Sequence, residues 1–265
     1  MGSESSKARR ATAVKTEKII PAGTEPVTVP RIPQEIIDEI LDHLAADSDL
    51  TSLRSCVLVS KSWVPSCRRH LFHTVHFTPA TTSRWLKMFR VPEKSPAHYV
   101  KDLRVSTGNS DRLFLKYTPW FTRVERITLL GDGGWTPTCW RLPQSITSLT
   151  MKTDTSTLVQ VTNIMAQLPN LDSLSLSGVL VPVDKTRLAR IGSTLKGRFG
   201  GRLQLTEGYA GRDTLNMLLE IPTGLRFTEV YICGMRGCLL STVRLAEACR
   251  TTLVKWTSSQ CKSHP

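Results

Sequence analysis

A strongly amphipathic segment begins close to residue 32. Five apolar side chains, Ile36, Ile37, Ile40, Leu41 and Leu44, fall on one face of a 3.6-residue period, and mostly charged residues fall on the opposite face. Pro33 lies where the first turn of a helix accepts proline, since the N–H that proline lacks would have no partner there. The pattern predicts a helix.

Two further short helices are predicted directly after it. Asp49 is a candidate N-cap for a helix that carries Leu50, Leu53, Cys56 and Val57, with Val59 near its end. A third helix follows, with Ser62 as candidate N-cap and Pro65 in its first turn. Because three short amphipathic helices cannot close a core alone, we expect them to need a partner.

The order and spacing of residues 31 to 76 resemble the F-box family, especially its fungal members. The pattern of that family runs from Leu-Pro-x-Glu to Val-Ser-Lys-x-Trp, and here Ile32 replaces the first leucine, a volume-conserving change. The resemblance implies docking on a Skp-type adaptor, and through it on a cullin, by the following residues: Ile32, Pro33, Ile36, Ile40, Leu44, Leu53, Val59 and Trp63. The alternative is that these residues form only an intramolecular helical cap.

Short strand-like segments recur through the rest of the chain. Their equivalent apolar positions are 22 to 29 residues apart: Leu103, Ile127, Leu149, Leu174, Leu203, Val230 and Trp256. Helical stripes are predicted between them, at 154–168 and around Leu188, Ile191, Leu195, Leu215, Leu218 and Leu219. The spacing matches a leucine-rich repeat. We therefore predict an α/β chain: a three-helix F-box, then an irregular leucine-rich-repeat-like solenoid with one curved parallel sheet.

Alternation along these strands predicts which side chains face away from the core. The candidate substrate-binding set is polar, with small residues in its middle: Asp102, Arg104, Arg126, Thr128, Thr150, Lys152, Ser173, Ser175, Gln204, Glu229 and Tyr231. Together with the resemblance, this set leads us to expect a substrate-receptor subunit of a cullin-RING ubiquitin ligase that binds an unknown protein substrate. The alternative is a repeat protein that binds a partner without any ligase role.

The net charge of +13 raises the alternative of a basic nucleic-acid-binding solenoid. The charge is spread along the chain rather than clustered, so we expect no nucleic-acid partner. The seven cysteines form no CxxC pair and indicate free thiols in a reducing compartment, the cytoplasm, the nucleus or both. Apolar runs never exceed four residues, so no transmembrane segment is expected.

Residues 1–30 are polar and punctuated by proline, which predicts a disordered tail ahead of the F-box (31–76) and the repeat domain (77–265). Gly2, with Ser6 and three nearby basic residues, fits an N-myristoylation pattern and suggests a weak membrane association. The competing interpretation, a solvated serine-rich leader, is favoured because such short motifs recur by chance.

The motifs of common catalytic sites are missing from the sequence, and we expect neither enzymatic activity nor a cofactor. The glycines of 131–135 and 197–202 are interpreted as turn residues with positive φ rather than as a phosphate cradle. His70, His73 and His76 recur every three residues but straddle a helix end and a strand, and no carboxylate is expected nearby to orient them, so no metal site is expected.

Overall fold

The computed structural model describes residues 32–106, 117–131, 141–181, 200–206, 215–216, 218–219, 226–233 and 239–259. The chain is an α/β protein in which eight parallel strands form one open sheet, in the order in which they occur along the chain. From residue 32 onward, three helices precede the sheet. The α/β class and the parallel sheet are therefore confirmed.

The three predicted helices are present: α1 (Gln34–Ala46), α2 (Leu50–Val59) and α3 (Val64–Leu71). Asp49 caps α2 as predicted, since its Oδ1 accepts a hydrogen bond of 3.0 Å from the Ser52 N–H. The prediction of Ser62 as the cap of α3 is wrong: Trp63 occupies the N-cap position, and the Ser62 Oγ bonds the Ser60 Oγ instead. Pro33 lies at the N-cap of α1, one position before the predicted first turn.

The helices α1 to α3, here called the helical unit, bury a small core of their own. Ile37, Leu41, Leu53 and Cys67 are inaccessible or nearly so, and the half-buried residues Leu44, Ala45, Cys56, Val57, Trp63 and Leu71 pack around them. We expected that three short helices could not close a core alone. That expectation is wrong for the small core that these four residues form. The reason is the α1 stripe, whose Ile37 and Leu41 point inward while Ile36 and Ile40 remain outside.

The sheet consists of β1 (Thr74–Phe77), β2 (Asp102–Ser106), β3 (Arg126–Leu130), β4 (Ser148–Thr157), β5 (Ser173–Val181), β6 (Gly200–Thr206), β7 (Arg226–Cys233) and β8 (Lys255–Ser259). All seven segments predicted beyond residue 76 contribute a strand. The sheet starts earlier, with β1, directly after the helical unit.

The register of the strands confirms the predicted equivalence of apolar positions. Neighbouring strands align Leu103, Ile127, Leu149, Leu174, Leu203, Val230 and Trp256 in one continuous row that begins at Val75. A second row, two residues further on, runs from Phe77 through Leu129 and Leu176 to Ile232. Because side chains alternate along a strand, both rows lie on the face of the sheet that forms the main core.

The connections between strands are less regular than predicted, because a helix does not follow every strand. Helices α4 (Pro79–Met88), α5 (Leu158–Ala166) and α6 (Leu239–Ala248) follow β1, β4 and β7, and helical backbone occurs at 215–216 and 218–219 after β6. The described part of the β2–β3 connection has only a 3-10 turn at Thr118–Trp120, and residues 141–147 before β4 are not helical.

The predicted helical stripe at 154–168 is wrong at its start, because β4 continues to Thr157. The threonine- and serine-rich stretch before the helix favours an extended chain. From Leu158 onward the predicted helical stripe is confirmed, since Val161, Ile164, Met165 and Leu168 are buried. Leu215 and Leu218 are buried and Leu219 is half-buried, as the second stripe predicts, whereas Leu188, Ile191 and Leu195 lie outside the described residues.

Trp85 of α4 joins the helical unit to the sheet. Its ring meets Phe72, at the end of α3, and Phe77, on β1, edge to face, with centroids 6.1 and 5.3 Å apart. The His73 carbonyl, between α3 and β1, accepts hydrogen bonds of 3.0 Å from the N–H groups of both Lys101 and Asp102. Aromatic packing and backbone hydrogen bonds therefore fix where the helical unit meets the first strands.

Candidate docking surfaces

Apolar side chains project from the first two helices without a partner in the described part of the chain. Ile36 and Ile40, one turn apart on α1, are 46% and 43% exposed, and Ile32 just before α1 is 56% exposed. At the end of α2, Leu58 and Val59 are 87% and 65% exposed. We call these five residues the apolar helical surface.

The adaptor-binding set predicted from the sequence divides into two groups in the structure. Ile32, Pro33, Ile36, Ile40 and Val59 are exposed and available to another protein. By contrast, Leu53 is fully buried and Leu44 and Trp63 are half-buried against it, so these three support the helices from inside. Leu58 was missed; the sequence places it beside Val59, but only the orientation of α2 separates outward from inward positions.

Polar contacts hold α3 against α1 and so fix the orientation of the apolar helical surface. Ser66 Oγ donates a hydrogen bond of 2.6 Å to Asp38 Oδ1, and this bond holds the pKa of the Asp38 carboxyl below its usual value. Arg69 Nη2 lies 3.1 Å from Asp42 Oδ1. Both aspartates lie on the predicted charged face of α1, which is therefore partly an internal face.

A groove of about 500 Å³ lies where the helical unit meets β1. It is lined by Asp42, Ala45, Ala46, Leu50, His70, Leu71, His73 and Thr74. His70 Nε2 lies 2.8 Å from Asp42 Oδ1 but out of line for a hydrogen bond, and burial lowers the pKa of His73. The sequence-based view that no carboxylate lies near these histidines is therefore wrong for His70.

The histidines at 70, 73 and 76 have separate surroundings. His70 lies beside Asp42, His73 lies at the junction with β1, and His76 Nε2 contacts Ser106 Oγ at 2.8 Å. In the part of the chain that the structure describes, no group of three or more His, Cys, Asp or Glu side chains could hold a metal ion. The four described cysteines, Cys56, Cys67, Cys233 and Cys249, are free thiols.

Outward-facing residues of the strands form a second surface, here called the polar sheet face. One of its rows joins His76, Arg104, Thr128, Thr150, Ser175, Gln204, Tyr231 and Thr257. Another, here called the arginine row, joins Asp102, Arg126, Ser148, Ser173, Arg202, Glu229 and Lys255. With Lys152 in a third row, the entire substrate-binding set predicted from alternation lies on this face.

Ion pairs lie at both ends of the arginine row. Arg126 Nε is 3.6 Å and Arg104 Nη2 is 3.8 Å from Asp102 Oδ2, while the Arg202 Nε donates a hydrogen bond of 2.8 Å to Glu229 Oε2. This bond holds the pKa of Glu229 below and that of Arg202 above the usual values. Opposite charges therefore lie side by side at both ends of the row, with Ser148 and Ser173 between them.

Among the residues of this face that the predicted set lacks are Arg202, Lys255 and Thr257. They line a shallow cavity of about 360 Å³ over β6, β7 and β8, together with Gln204, Glu229 and Tyr231. The alternation rule that found Gln204 and Tyr231 would have found all three, if applied to both neighbours of Leu203 and Trp256.

Gly131 and Gly201 have φ values of 108° and 81°, so positive φ is confirmed at these two glycines, but Gly201 lies in β6 and not in a turn. Gly2 and the rest of the predicted tail lie outside the described residues. No helix within the described ranges is both long enough and apolar enough to cross a bilayer.

Comparisons of the chain with protein-family models, with curated proteins and with solved structures gave no match.

Proposed function

We propose that the chain is an F-box protein, the substrate-receptor subunit of a cullin-RING ubiquitin ligase. The helical unit would bind a Skp-type adaptor, which connects it to the cullin, and the leucine-rich-repeat-like sheet would bind a protein substrate. The contribution of the chain is then positioning: a partner enzyme transfers ubiquitin, and binding raises the effective concentration of its target.

One observation carries the proposal. The helical unit closes a small core around Leu41 and Leu53, yet leaves Ile32, Ile36, Ile40, Leu58 and Val59 in solvent. Isolated apolar residues on a surface are ordinary, but several of them on two adjacent short helices indicate a protein contact. Four of these residues, Ile32, Ile36, Ile40 and Val59, also belong to the set that carries the resemblance to the F-box, whereas Leu58 does not.

Burial of this surface would supply a useful part of the binding free energy. A fully buried isoleucine or valine side chain is worth about 1.5 to 3 kcal/mol relative to an exposed one. Ile36 and Ile40 are already about half buried, so each would contribute about 1 kcal/mol or somewhat more when covered. An aspartate at both positions would add the cost of desolvating two carboxylates.

The test is co-expression of the full chain with a Skp-type adaptor, followed by capture of the adaptor. We expect the wild type to retain it and the double variant Ile36→Asp, Ile40→Asp to lose it while keeping its melting temperature, because both side chains are exposed. The matched control is Leu240→Asp, Val243→Asp, which makes the same change on exposed residues of α6 and should leave binding intact.

If the wild type retains no adaptor, even at low salt, the result would support the alternative hypothesis, a repeat protein that binds a partner without a ligase role. Loss of adaptor in the α6 control as well would show that any new charge disrupts the complex and would remove the assignment to α1.

A further inference from the structure

Two arginines occupy equivalent places in the arginine row. The register aligns Arg126 on β3 with Ser148 on β4, Ser173 on β5 and Arg202 on β6. The side chains of Arg126 and Arg202 are 52% and 57% exposed. Two half-exposed guanidinium groups therefore flank a stretch of two strands whose residues in this row are serines.

Each arginine is held on its outer side by an acid of the next strand. Asp102 on β2 lies beside the Arg126 Nε, and Glu229 on β7 lies beside the Arg202 Nε. In both pairs the guanidinium approaches the acid through Nε. Because a guanidinium carries five N–H donors, most of its capacity to bind an anion is left over.

The spacing of the strands sets the distance between the two groups. Neighbouring strands lie roughly 4.7–4.9 Å apart, so the three steps from β3 to β6 separate the two Cα positions by roughly 14 Å. An extended chain advances roughly 3.3–3.6 Å per residue, and four residues cover the same distance. Side chains four residues apart in an extended segment also point to the same side.

We propose that Arg126 and Arg202 bind two anionic side chains, four residues apart, of an extended segment of a partner protein that crosses β3 to β6. The proposal rests on the receptor role given above, since it names the class of substrate segment that the sheet would hold. Carboxylates and phosphorylated serines share the chemistry that an arginine recognises, and the test distinguishes them.

The charges and shapes of the polar sheet face favour an acidic protein segment. The rows given above, with Lys152, contain five lysines and arginines against two acids, and both acids already face an arginine. Tyr231 is the one Phe, Tyr or Trp in these rows, whereas proteins that bind single-stranded nucleic acid stack successive bases on several aromatic rings. Small hydroxyl residues between the arginines leave room for a peptide backbone.

The proposal is tested by fluorescence anisotropy with the full chain and labelled Gly/Ser peptides that contain two glutamates, either four or two residues apart. A third peptide carries two phosphoserines four residues apart. We expect a four-residue spacing to bind more tightly than a two-residue spacing. Arg126→Gln and Arg202→Gln should each weaken that binding about fivefold, the upper end for an exposed ion pair, and the double variant should weaken it further.

Arg244→Gln is the matched control, since it removes the same charge from an exposed position on α6 and should leave the affinity unchanged. Preference for the phosphoserine peptide identifies phosphate as the natural group, and preference for glutamate identifies carboxylate. Equal affinity for both spacings, no binding, or an equal loss in Arg244→Gln would overturn the proposal. So would a single-stranded RNA that binds more tightly through the same two arginines.

The adaptor is absent from this assay, so its result is independent of the F-box assignment. A chain that binds the peptides but never retains a Skp-type adaptor would keep the acidic-segment site and lose the ligase role. A chain that retains the adaptor but does not bind the peptides would keep the ligase role and lose the acidic-segment site.

Discussion

Replacing Gly201 with alanine probes the junction of β5 and β6. Gly201 has a φ of 81°, in the left-handed region that side chains rarely adopt, and the register shifts between Gly201 and Arg202. A Cβ built on Gly201 would collide with the carbonyl group of Asp172. That same carbonyl oxygen accepts a hydrogen bond of 2.7 Å from the Arg202 N–H, at the start of the β5–β6 pairing.

The cost of this substitution is the sum of two effects. Holding alanine in the left-handed region costs about 1 to 2 kcal/mol. Because the colliding atoms belong to the backbone, the carbonyl must move, and weakening its bond to Arg202 costs about 1 kcal/mol. The expected loss of unfolding free energy is therefore about 2 to 3 kcal/mol. For a chain of this size, that corresponds to a fall in melting temperature of roughly 4 to 12 °C.

Gly200→Ala is the matched control, one residue away in the same strand. A Cβ there would meet nothing closer than the Arg226 carbonyl oxygen, at 3.9 Å, an ordinary van der Waals contact. We expect its melting temperature to be unchanged or slightly raised, because alanine lowers the entropy of the unfolded chain. Thermal unfolding followed by circular dichroism compares the two variants. Equal melting temperatures would refute the argument from positive φ and close approach.

Two further predictions concern the core and pH. Leu149→Ala removes a fully buried side chain from the central strand β4 and should cost about 2 to 5 kcal/mol, whereas Thr150→Ala on the polar sheet face should change stability by less than about 0.5 kcal/mol, both measured by urea unfolding. Burial lowers the pKa of His73, so the unfolded chain takes up a proton first as the pH falls below about 6.5. The stability associated with the neutral ring is present above that pH and lost below it. The melting temperature of the wild type should therefore fall more than that of His73→Gln between about pH 7.5 and about pH 5.5, and parallel curves would contradict the assignment.

In the helical unit, the periodic pattern predicted the helices but not which of their apolar residues are buried. The stripe on α1 predicted the helix, and the Asp49 cap predicted the start of α2. The same stripe could not tell which of its residues would be sealed inside. Ile36 and Ile37 are neighbours of identical chemistry, yet one is nearly half exposed and the other is buried, because Ile37 packs with Leu53 of α2 and Cys67 of α3 in one core while Ile36 lies outside it.

The ion pairs of the polar sheet face could not be predicted from the sequence, for a related reason. Arg202 and Glu229 are far apart in the chain, and which residue pairs with which depends on the strand register. A bulge beside Gly201 shifts that register by one residue, and no local sequence pattern predicts the shift. The contact between Asp42 and His70 similarly depends on how two helices cross.

By itself, the sequence determined the α/β class, the seven strands beyond residue 76, and the row of apolar residues that runs through them, because side-chain alternation and helical periodicity are local properties of the backbone. Only the tertiary structure decided which apolar residues remain uncovered on α1 and α2 and which charges meet across strands. Those outcomes depend on packing between segments distant in sequence, where a shift of one residue or a small rotation of a helix exchanges buried for exposed positions.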